Sequence, residues 1–563
     1  MLLLWPGALI HVGLLEGMLV LWALLAEQAP AARARALWLA GANAVAFVAT
    51  APFALGRSWP EFGPWSPWVL SNFQPAFFAG AALSLAGAAA VFGIRVLAAT
   101  RARRSTAAAG VGLAGLLLAV LLIPDLLDVL DVGAGWFAKA EDFQQHVNEL
   151  LPFYPGVAAS RLTLLVFVFP FAWGYLAWRS RRERAAADRF VLLGAAAAFF
   201  ALAMLQRRFG NSLSIFYVLV WGWLFAEATP ALRDRWRRAE VGGRALFAAF
   251  GVATGLLVVD SLLAFHLPRQ QTLVRARADP DYAKRGPLGV RHRLFDAGAR
   301  WLADASPETR GWLDPQLAPE YAVLCSWDAG HMVRYRARRP LVQDNFGVYG
   351  GRQNYEKAWR YYATRDEGEA VAILAELGVR YVLADRQGAG RSAPYAPGTM
   401  AHRLAFAFGS ARSATASRPE VPALRHHRLV WHQRSGGERS LAAEPPAFAL
   451  GIWEHVAGAH VIGRAAPGER VEARLRLQTE QGRRHEQRHR TRADATGRYE
   501  LVLAYPTDEV FSDAVRVLGS WRIQGETRSG RVGVPEAAVQ AGQEVAGPDL
   551  RGGAERAEHG IGG

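Results

Sequence analysis

The stretch Tyr321-Ala-Val-Leu-Cys-Ser-Trp-Asp-Ala-Gly-His-Met-Val-Arg-Tyr335, followed by Arg338-Arg-Pro-Leu-Val-Gln-Asp-Asn-Phe346, decides how this chain is organised. Residues 321–325 have the composition of a buried strand, 330–337 predict a short helix, and 341–343 predict a second strand. The turn between the first strand and the helix is Ser326-Trp-Asp-Ala-Gly330. Turns of this kind can project side chains into a groove, so the stretch predicts a site on an α/β domain.

A block of membrane helices precedes this stretch. Apolar runs long enough to suggest membrane spans recur at 8–25, 36–55, 76–97, 110–123, 162–178, 190–205, 213–225 and 246–265. We therefore expect about eight spans.

Arginines give these spans an orientation. They concentrate in every second loop, at Arg33 and Arg35, then 101–104, 179–184 and 233–238. Cytoplasmic loops carry such an excess of basic residues, so the remaining loops and everything after residue 266 are predicted to lie outside. Met1 opens directly into an apolar run, which predicts that the chain begins inside a longer protein.

The composition limits the possible functions. The net charge is +15, but the basic loops and a scattered surface explain the excess, so nucleic-acid binding is not expected. The single cysteine, Cys325, excludes an internal disulfide and gives no support to redox chemistry.

The region after the spans changes pattern twice. Residues 367–377 have helical spacing with Gly378 as a stop, and 379–383 return to strand composition. From residue 444 the apolar residues alternate with polar ones, as in 471–477 and 499–505, which predicts a small β-sandwich. The predicted domains are 1–267 in the membrane, 268–431 as an extracytoplasmic α/β domain, 444–545 as the sandwich and 546–563 as a disordered tail.

Two polar features beside the spans are candidates for chemistry. Glu149 lies in an outside loop just before a span, where a carboxylate can face a water-filled groove or simply be solvated. Arg207 and Arg208 separate two apolar runs. Arginine at membrane depth is unfavourable by roughly 2.5–3.5 kcal/mol, which favours an interior or functional role over an interfacial one. A guanidinium also matches a phosphate well.

One motif matches a zinc-site pattern that its sequence context does not support. His485-Glu-Gln-Arg-His489 fits the pattern of zinc proteases, which place both histidines on one face of a helix. Here it lies in an arginine-rich, strand-patterned region, so a zinc site is not expected.

Together these segments resemble the catalytic subunit of bacterial and archaeal oligosaccharyltransferases. The family has Trp-Trp-Asp-Tyr-Gly where this chain has Ser326-Trp-Asp-Ala-Gly330, and Arg339-Pro340 and Asp344-Asn-Phe346 follow at the family's spacing. The resemblance implies a polytopic α-helical membrane bundle of the C-type glycosyltransferase fold, followed by a soluble α/β domain and a small β-sandwich.

The resemblance also implies roles for residues. Glu149 would hold Mg²⁺ or Mn²⁺, and Arg208, the better match to the family's Arg-Phe pair, would meet the donor's pyrophosphate. Trp327, Asp328 and Gly330 would bind the acceptor, with Met400 as a remnant of the family's nearby Met/Ile pair. Ser326 and Ala329 depart from the family's motif, which leaves the preference for Thr or Ser in the acceptor open.

The implied activity is transfer of a glycan from a polyprenyl-diphosphate carrier to Asn in Asn-x-Ser/Thr of exported proteins. The partners would be the lipid-linked oligosaccharide, the acceptor polypeptide and the lipid membrane. The location would be the cell inner membrane, multi-pass, with the C-terminal domain periplasmic.

The family's upstream acids are not in the sequence. Glu16 could be the last residue of its second acidic motif, but His11 stands where that motif has Asp. The chain as written is therefore expected to be inactive or nearly so. The alternatives are another polyprenyl-dependent C-type glycosyltransferase, or a truncated paralogue that binds donor or peptide without catalysis; a transporter lacks support.

Overall fold

The structure is a computed structural model that describes residues 9–59, 62–67, 69–123, 125–131, 150–183, 187–279, 287–314, 317–385, 396–414, 420–434, 449–508 and 510–551. The chain divides into two compact units, Met1–Val274 and Arg275–Gly563. Each unit is described by itself.

The first unit is helical. Its helices are α1 (Leu9–Leu24), α2 (Ala29–Ala54), α3 (Phe73–Val91), α4 (Arg95–Ala98), α5 (Arg101–Leu122), α6 (Pro155–Leu162), α7 (Phe169–Arg182), α8 (Ala187–Leu205), α9 (Gly210–Arg238), α10 (Val241–Ser261) and α11 (Leu267–Ala278). Within the described residues, six helical segments are long and apolar enough to cross a membrane, and α1 is a shorter apolar helix. The chain is a multi-pass membrane protein.

The expected number of about eight spans needs correction at residues 162–178. This apolar run is broken into the end of α6, a 3₁₀ turn at Leu164–Phe167 and α7. Thr163 has a φ of 70°, a conformation that a continuous helix does not contain. Pro170 lies in the first turn of α7, where a missing N–H costs nothing.

The core of this unit forms where α6 to α9 meet. Phe153, Phe169, Phe199 and Phe209 are almost fully buried there, together with Leu213 on α9. Many apolar side chains elsewhere in the unit face outward, as expected for a surface that contacts lipid.

The helix that leaves the membrane unit is longer than the sequence suggested. A π turn at Leu262–His266 links α10 to α11, which continues to Ala278, although the polar composition of residues 269–287 with Pro280 and Pro287 predicts a connector there. The polar sequence of 269–278 lacks proline, and the first helix-breaking proline after that is Pro280.

A mixed four-stranded sheet begins the second unit. Its strands are β1 (Ala322–Leu324), β2 (Val379–Asp385), β3 (His427–Arg434) and β4 (Ala449–His455), in the order β1-β2-β4-β3. β1 is parallel to β2, and the other pairs are antiparallel. The helices are α12 (Pro287–Ala305), α13 (Gly330–Ala337), α14 (Arg352–Ala363), α15 (Glu367–Glu376) and α16 (Met400–Ala405).

The sheet is covered on both faces. Phe295, Ala299 and Leu302 of α12 pack with Ile452 of β4 in one core cluster. Residues of α14, α15 and α16, such as Tyr361, lie in the other. The predicted strands at 321–325 and 379–383 and the predicted helices at 330–337 and 367–377 are confirmed. The strand predicted at 341–343 is reduced to a single bridge between Leu341 and Val323.

The remaining strands form two layers, of which the larger is antiparallel and the smaller is mixed. They are β5 (Ala459–Arg464), β6 (Arg470–Thr479), β7 (Arg484–Arg492), β8 (Arg498–Leu503), β9 (Val515–Val517), β10 (Trp521–Gln524), β11 (Ser529–Val532) and β12 (Glu544–Asp549), with the short helix α17 (Glu536–Ala541) before the last strand. One sheet has the order β11-β10-β6-β7 with β9 beside β6, and the other has the order β12-β5-β8. The alternation in 471–477 does place Val471, Ala473, Leu475 and Leu477 in the core.

Two predicted boundaries of this sandwich are displaced. Residues 449–455 form β4 of the mixed sheet, because β4 pairs with β2 and β3. Residues 546–549, expected in a disordered tail, belong to β12, which pairs in parallel with β5. Residues 552–563 lie outside the described part of the chain.

Candidate acceptor site and arginine turn

The turn that carries the Ser-Trp-Asp-Ala-Gly motif requires a glycine at position 330. After β1, residues Trp327–Ala329 form a 3₁₀ turn that runs into α13 at Gly330. A Cβ atom at Gly330 would lie 2.4 Å from Cα of Asp344 and 2.8 Å from the carbonyl oxygen of Gln343. Only glycine therefore lets the segment 343–344 pass this close to the turn.

Arg291 of α12 holds the aspartate of the motif. Its Nη1 donates to Oδ2 of Asp328 at 2.9 Å and its Nη2 to Oδ1 at 3.2 Å, so the contact is bidentate. The same guanidinium donates through Nε to Asp385 at 2.9 Å and through Nη2 to Ser326 at 3.1 Å. Burial alone lowers the pKa of Arg291, but the Asp385 and Asp328 carboxylates outweigh it and raise the pKa above its ordinary value.

This ion-paired group is largely shielded from water. The side chains of Arg291, Asp328 and Asp385 are 12%, 10% and 8% exposed. Asp385 ends β2, which is parallel to β1, so the carboxyl ends of both strands meet at Arg291. Asp328 is thus held as a hydrogen-bond acceptor paired with a cation, which suits it to a ligand that offers a hydroxyl or an N–H group.

The Asp-Asn-Phe segment lies beside the turn. Asn345 donates through Nδ2 to the carbonyl oxygen of Asp328 at 2.9 Å and accepts the backbone N–H of His331 at 2.9 Å. The rings of His331 and Phe346 meet edge to face, with centroids 5.0 Å apart, and Phe346 is 43% exposed. Trp327 is nearly buried at 8% exposure. The turn therefore has a buried anchor and a partly exposed aromatic rim.

Met400 occupies a different environment. It begins α16, is fully buried and belongs to the hydrophobic core between the helices and the sheet. Its sulfur lies 3.9 Å from Nη1 of Arg403. A side chain in this position does not offer a surface to a ligand, so Met400 is left out of the candidate site.

The arginine pair of the first unit forms a short turn between α8 and α9. Residues Arg207–Phe209 are a 3₁₀ turn in which Arg207 is buried and Arg208 half-buried. The N–H of Arg207 donates to the carbonyl oxygen of Leu151 at 2.8 Å, and Arg161 donates to the carbonyl oxygen of Arg207 at 3.0 Å. The ring of His11 lies 5.2 Å from that of Phe209.

Glu149 lies outside the described residues, so its position relative to Arg208 is not described. Leu151, two residues later, is held against Arg207. Among the described residues, no group of three or more His, Cys, Asp and Glu side chains could hold a metal ion. Glu16 lines a cavity of about 230 Å³ with residues of α2, α3 and α5. The described residues therefore do not assemble a metal site.

The motif at 485–489 is part of a strand, as predicted. It lies within β7, and burial lowers the pKa of His489 to about 4. Its side chain is 3% exposed in the core of the sandwich.

Sequence comparisons identify two domains. Residues 296–389 match the AglB core domain, and residues 458–545 match the archaeal glycosylation protein B long peripheral domain. Two curated proteins of Archaeoglobus fulgidus, dolichyl-phosphooligosaccharide-protein glycotransferases 1 and 2, are 32% and 30% identical over 83 residues. That segment is 15% of this chain and spans 13% of each relative.

The fold is also similar to solved structures from A. fulgidus. One is the archaeal oligosaccharyltransferase AglB in complex with an inhibitory peptide and a dolichol-phosphate, with a TM-score of 0.72 and 17% identity over 98% of this chain and 76% of that one. Another is an oligosaccharyltransferase tethered to an acceptor peptide containing the NVT sequon, with a TM-score of 0.67, 17% identity and coverage of 97% and 75%. A third, in complex with Zn and sulfate, has a TM-score of 0.59, 18% identity and coverage of 98% and 76%. The fold class predicted from the sequence is confirmed.

Proposed function

This chain belongs to the oligosaccharyltransferase family, and we propose that it transfers a glycan from a polyprenyl-diphosphate carrier to Asn in Asn-x-Ser/Thr of exported proteins. The observation that carries the proposal is the buried turn at Trp327–Gly330, anchored by Arg291. It lies in the segment that matches the AglB core domain. The related structures contain a peptide and a dolichol-phosphate, which are the two partners proposed here beside the lipid membrane.

Trp327 and Asp328 are assigned to the acceptor. The Asp328 carboxylate, oriented by the Arg291 fork, accepts a hydrogen bond from the Ser or Thr hydroxyl of the peptide. Trp327 supplies apolar contact at the same turn, and Gly330 keeps the turn narrow. A peptide without that hydroxyl loses this hydrogen bond to a charged acceptor, which gives the site its selectivity.

Arg208 is assigned to the donor. It stands at a helix break beside the segment that follows Glu149, and a guanidinium there neutralises charge on a diphosphate leaving group. Glu149 is proposed as one ligand of Mg²⁺ or Mn²⁺, metals that prefer hard oxygen ligands. When bound, such an ion would add charge neutralisation at the diphosphate. The location we propose is the inner membrane, with the second unit in the periplasm.

The test is transfer to a peptide. Membranes containing the full chain are incubated with extracted lipid-linked glycan, a divalent metal and a fluorescent peptide that contains one Asn-x-Thr. The product is detected by a gel shift and mass spectrometry. The proposal predicts a product, in contrast to the inactivity expected from the missing upstream acids, and this product should disappear when the peptide's Asn becomes Gln or its Thr becomes Ala.

Matched variants make the test specific. Trp327→Ala and Asp328→Ala should reduce transfer strongly, while the controls Trp359→Ala and Asp304→Asn, at exposed positions, should not. Transfer that ignores the Thr, or variants that behave like their controls, would contradict the assignment. Chelation with EDTA should stop transfer, and Mg²⁺ or Mn²⁺ should restore it.

A further inference from the structure

One face of the larger β-sheet in the sandwich is unusually rich in arginine. The outward positions of β6, β7, β9, β10 and β11 carry ten arginines and two glutamates, by the alternation of buried and exposed residues along these strands. The arginines are Arg470, Arg474, Arg476, Arg484, Arg488, Arg490, Arg492, Arg516, Arg522 and Arg531; the glutamates are Glu472 and Glu486. We refer to this surface as the arginine face.

The strand register lines up four of these arginines in a row. Arg531 lies opposite Arg522, Arg522 opposite Arg474, and Arg474 opposite Arg488. Neighbouring strands are about 4.7–4.9 Å apart, so the row crosses the sheet with one guanidinium at each step. Like charges placed directly opposite one another destabilise a sheet. A surface that served stability alone would alternate the signs across the strands.

Part of the row is not neutralised by the described residues. Arg474 is paired with Glu472, and Arg488 with Glu486. Arg522 and Arg531, in contrast, make no ion pair or side-chain hydrogen bond with the described residues, and both are exposed. Two adjacent guanidiniums therefore keep their full donor capacity for a ligand.

The row leads into a basic cavity. Between β7 and the loop at 407–413 lies a cavity of about 440 Å³, whose lining includes five arginines and one carboxylate together with the rings of Phe408 and His485. The charged residues are Arg412, Arg483, Arg484, Arg488, Arg490 and Glu486. The loop is fixed to the strand, because the N–H of Ala411 donates to the carbonyl oxygen of Arg488 at 2.9 Å. Arg484 has no side-chain partner among the described residues. The cavity adds a concave end to the flat arginine face.

We propose that the arginine face binds an acidic polysaccharide, whose carboxylate or sulfate groups follow the row from Arg531 to Arg488 and whose end enters the cavity. Carboxylates, which are planar, and sulfates, which are tetrahedral, both accept two hydrogen bonds from the paired N–H groups of a guanidinium. Binding to single-stranded nucleic acid relies on stacking, and the outward positions of the described strands that form this face carry no aromatic side chain. At the cavity, the rings of His485 and Phe408 pack against each other, with centroids 4.8 Å apart. A lipid surface cannot fill the concave end. This inference goes beyond the proposed transfer reaction and does not depend on it.

The test measures binding of a defined polyanion to the full chain. The protein is placed in nanodiscs of zwitterionic lipid, and its affinity for oligogalacturonate is measured at several salt concentrations. The test variant is Arg522→Ser with Arg531→Ser. The control is Arg464→Ser with Arg498→Ser, a cross-strand arginine pair at exposed positions in the other sheet, which changes the net charge equally.

The inference expects salt-sensitive binding that the test variant weakens at least about tenfold, since each lost arginine removes a charge-assisted hydrogen bond. The control should change the affinity less than about twofold. Equal weakening in both variants would mean general charge attraction and would overturn the proposal. No binding near physiological salt, or preferential binding to phosphatidylglycerol vesicles that depends on Arg522 and Arg531, would overturn it as well. Thermal unfolding of each variant verifies that it is folded.

Discussion

Arg291 joins two carboxylates that would otherwise repel each other. Asp328 and Asp385 are both within 2.9 Å of its guanidinium, and all three side chains are mostly buried. At this site the residue that defines the motif, Asp328, depends on a residue outside the motif. Arg291 thus acts as a positioning residue for the proposed acceptor contact.

We expect Arg291→Gln to lower both stability and acceptor binding. Loss of the cation leaves two buried carboxylates without their partner, which costs on the order of 3 kcal/mol in the free energy of unfolding at neutral pH. The KM for the acceptor peptide should rise more than kcat falls, because Asp328 loses its orientation. Unfolding melts and peptide kinetics on the full chain measure the two effects.

The control for this experiment is Arg300→Gln. Arg300 is 63% exposed and pairs with Asp296, so the change should cost less than about 1 kcal/mol. Arg291→Lys keeps the positive charge but lacks the bidentate guanidinium. It should therefore recover part of the stability, while the KM should stay raised. An Arg291→Gln variant with the control's stability and KM would refute the positioning role.

Glu367 makes the stability of the second unit depend on pH. Its side chain is 3% exposed, and it lies 3.2 Å from Arg403 and 3.2 Å from Nδ1 of His427. Burial alone raises the pKa of Glu367, but the hydrogen bond and charge of His427, with Arg403, lower it to about 2 from an ordinary value of 4.5. Because the folded-state pKa is depressed, this carboxylate contributes full stability above pH 4.5 and loses it as the pH falls toward 2.

Glu367→Gln should therefore be destabilised at pH 7, by on the order of 3 kcal/mol, with a gap to the wild type that closes between pH 4.5 and 2. Thermal unfolding at a series of pH values measures the gap. Glu356→Gln, at a position 61% exposed, is the control and should change stability little. A gap that stays constant with pH would show that the carboxylate's charge is not what stabilises the fold.

The strand register of the sandwich determines which charged side chains lie next to one another on its surface. In β10, Arg522 lies between Arg474 and Arg531 on neighbouring strands. Arg522→Thr should stabilise the full chain by roughly 0.2–1 kcal/mol, since it removes two like-charge contacts and adds a residue that favours strands. The gain should shrink at high salt, where the repulsion is screened.

Thermal unfolding at low and high salt measures this effect, with Arg464→Thr in the smaller sheet for comparison. Arg464 faces the single arginine Arg498 across the pair with β8. If Arg522→Thr both stabilises the chain and weakens polyanion binding, the arginine face contributes to binding at a cost to stability. Destabilisation by Arg522→Thr would contradict the repulsion.

Elements defined by local pattern were predictable from the sequence. The strand, turn and helix around Trp327 follow from apolar spacing over a few residues, and so does the helix that begins at Glu367. The same pattern did not reveal partners that are distant in the chain. Arg291 lies 37 residues from Asp328 and 94 from Asp385, a contact that only the parallel pairing of β1 and β2 creates.

Where prediction failed, a non-local contact or a local backbone break decided the outcome. The sequence groups residues 449–455 with the sandwich strands that follow, yet this strand is buried on both faces and its pairing partners are β2 and β3. The apolar run at 162–178 is continuous in composition but broken by the backbone of Thr163. Met400 entered the candidate site through a family position, whereas its environment is a packed core.

The chain combines a membrane unit with a second unit that carries the arginine face and the turn at Trp327–Gly330, which we call the acceptor turn. Both features serve the proposed roles only if the second unit is on the outer side of the membrane. The arginine-rich loops predict this orientation. It can be tested chemically, because the chain has one cysteine.

Cys325 is fully buried, and burial raises the pKa of its thiol above the ordinary value. Maleimides react with the thiolate and not with the thiol. The buried Cys325 should therefore be unreactive toward maleimides in the folded chain and become reactive when the chain is unfolded. A new cysteine at an exposed position then reports its own side of the membrane. Thr527→Cys lies in the second unit, and Arg181→Cys lies at the end of α7 in a loop predicted to be cytoplasmic.

In intact cells, a membrane-impermeant maleimide should label Thr527→Cys and leave Arg181→Cys and the unchanged chain unlabelled. After the membrane is opened, both cysteine variants should react, which controls for expression and accessibility. Labelling of Arg181→Cys alone would invert the orientation. The acceptor turn would then face the cytoplasm, where exported proteins are not yet translocated, and the proposed transfer reaction would lose its physical basis.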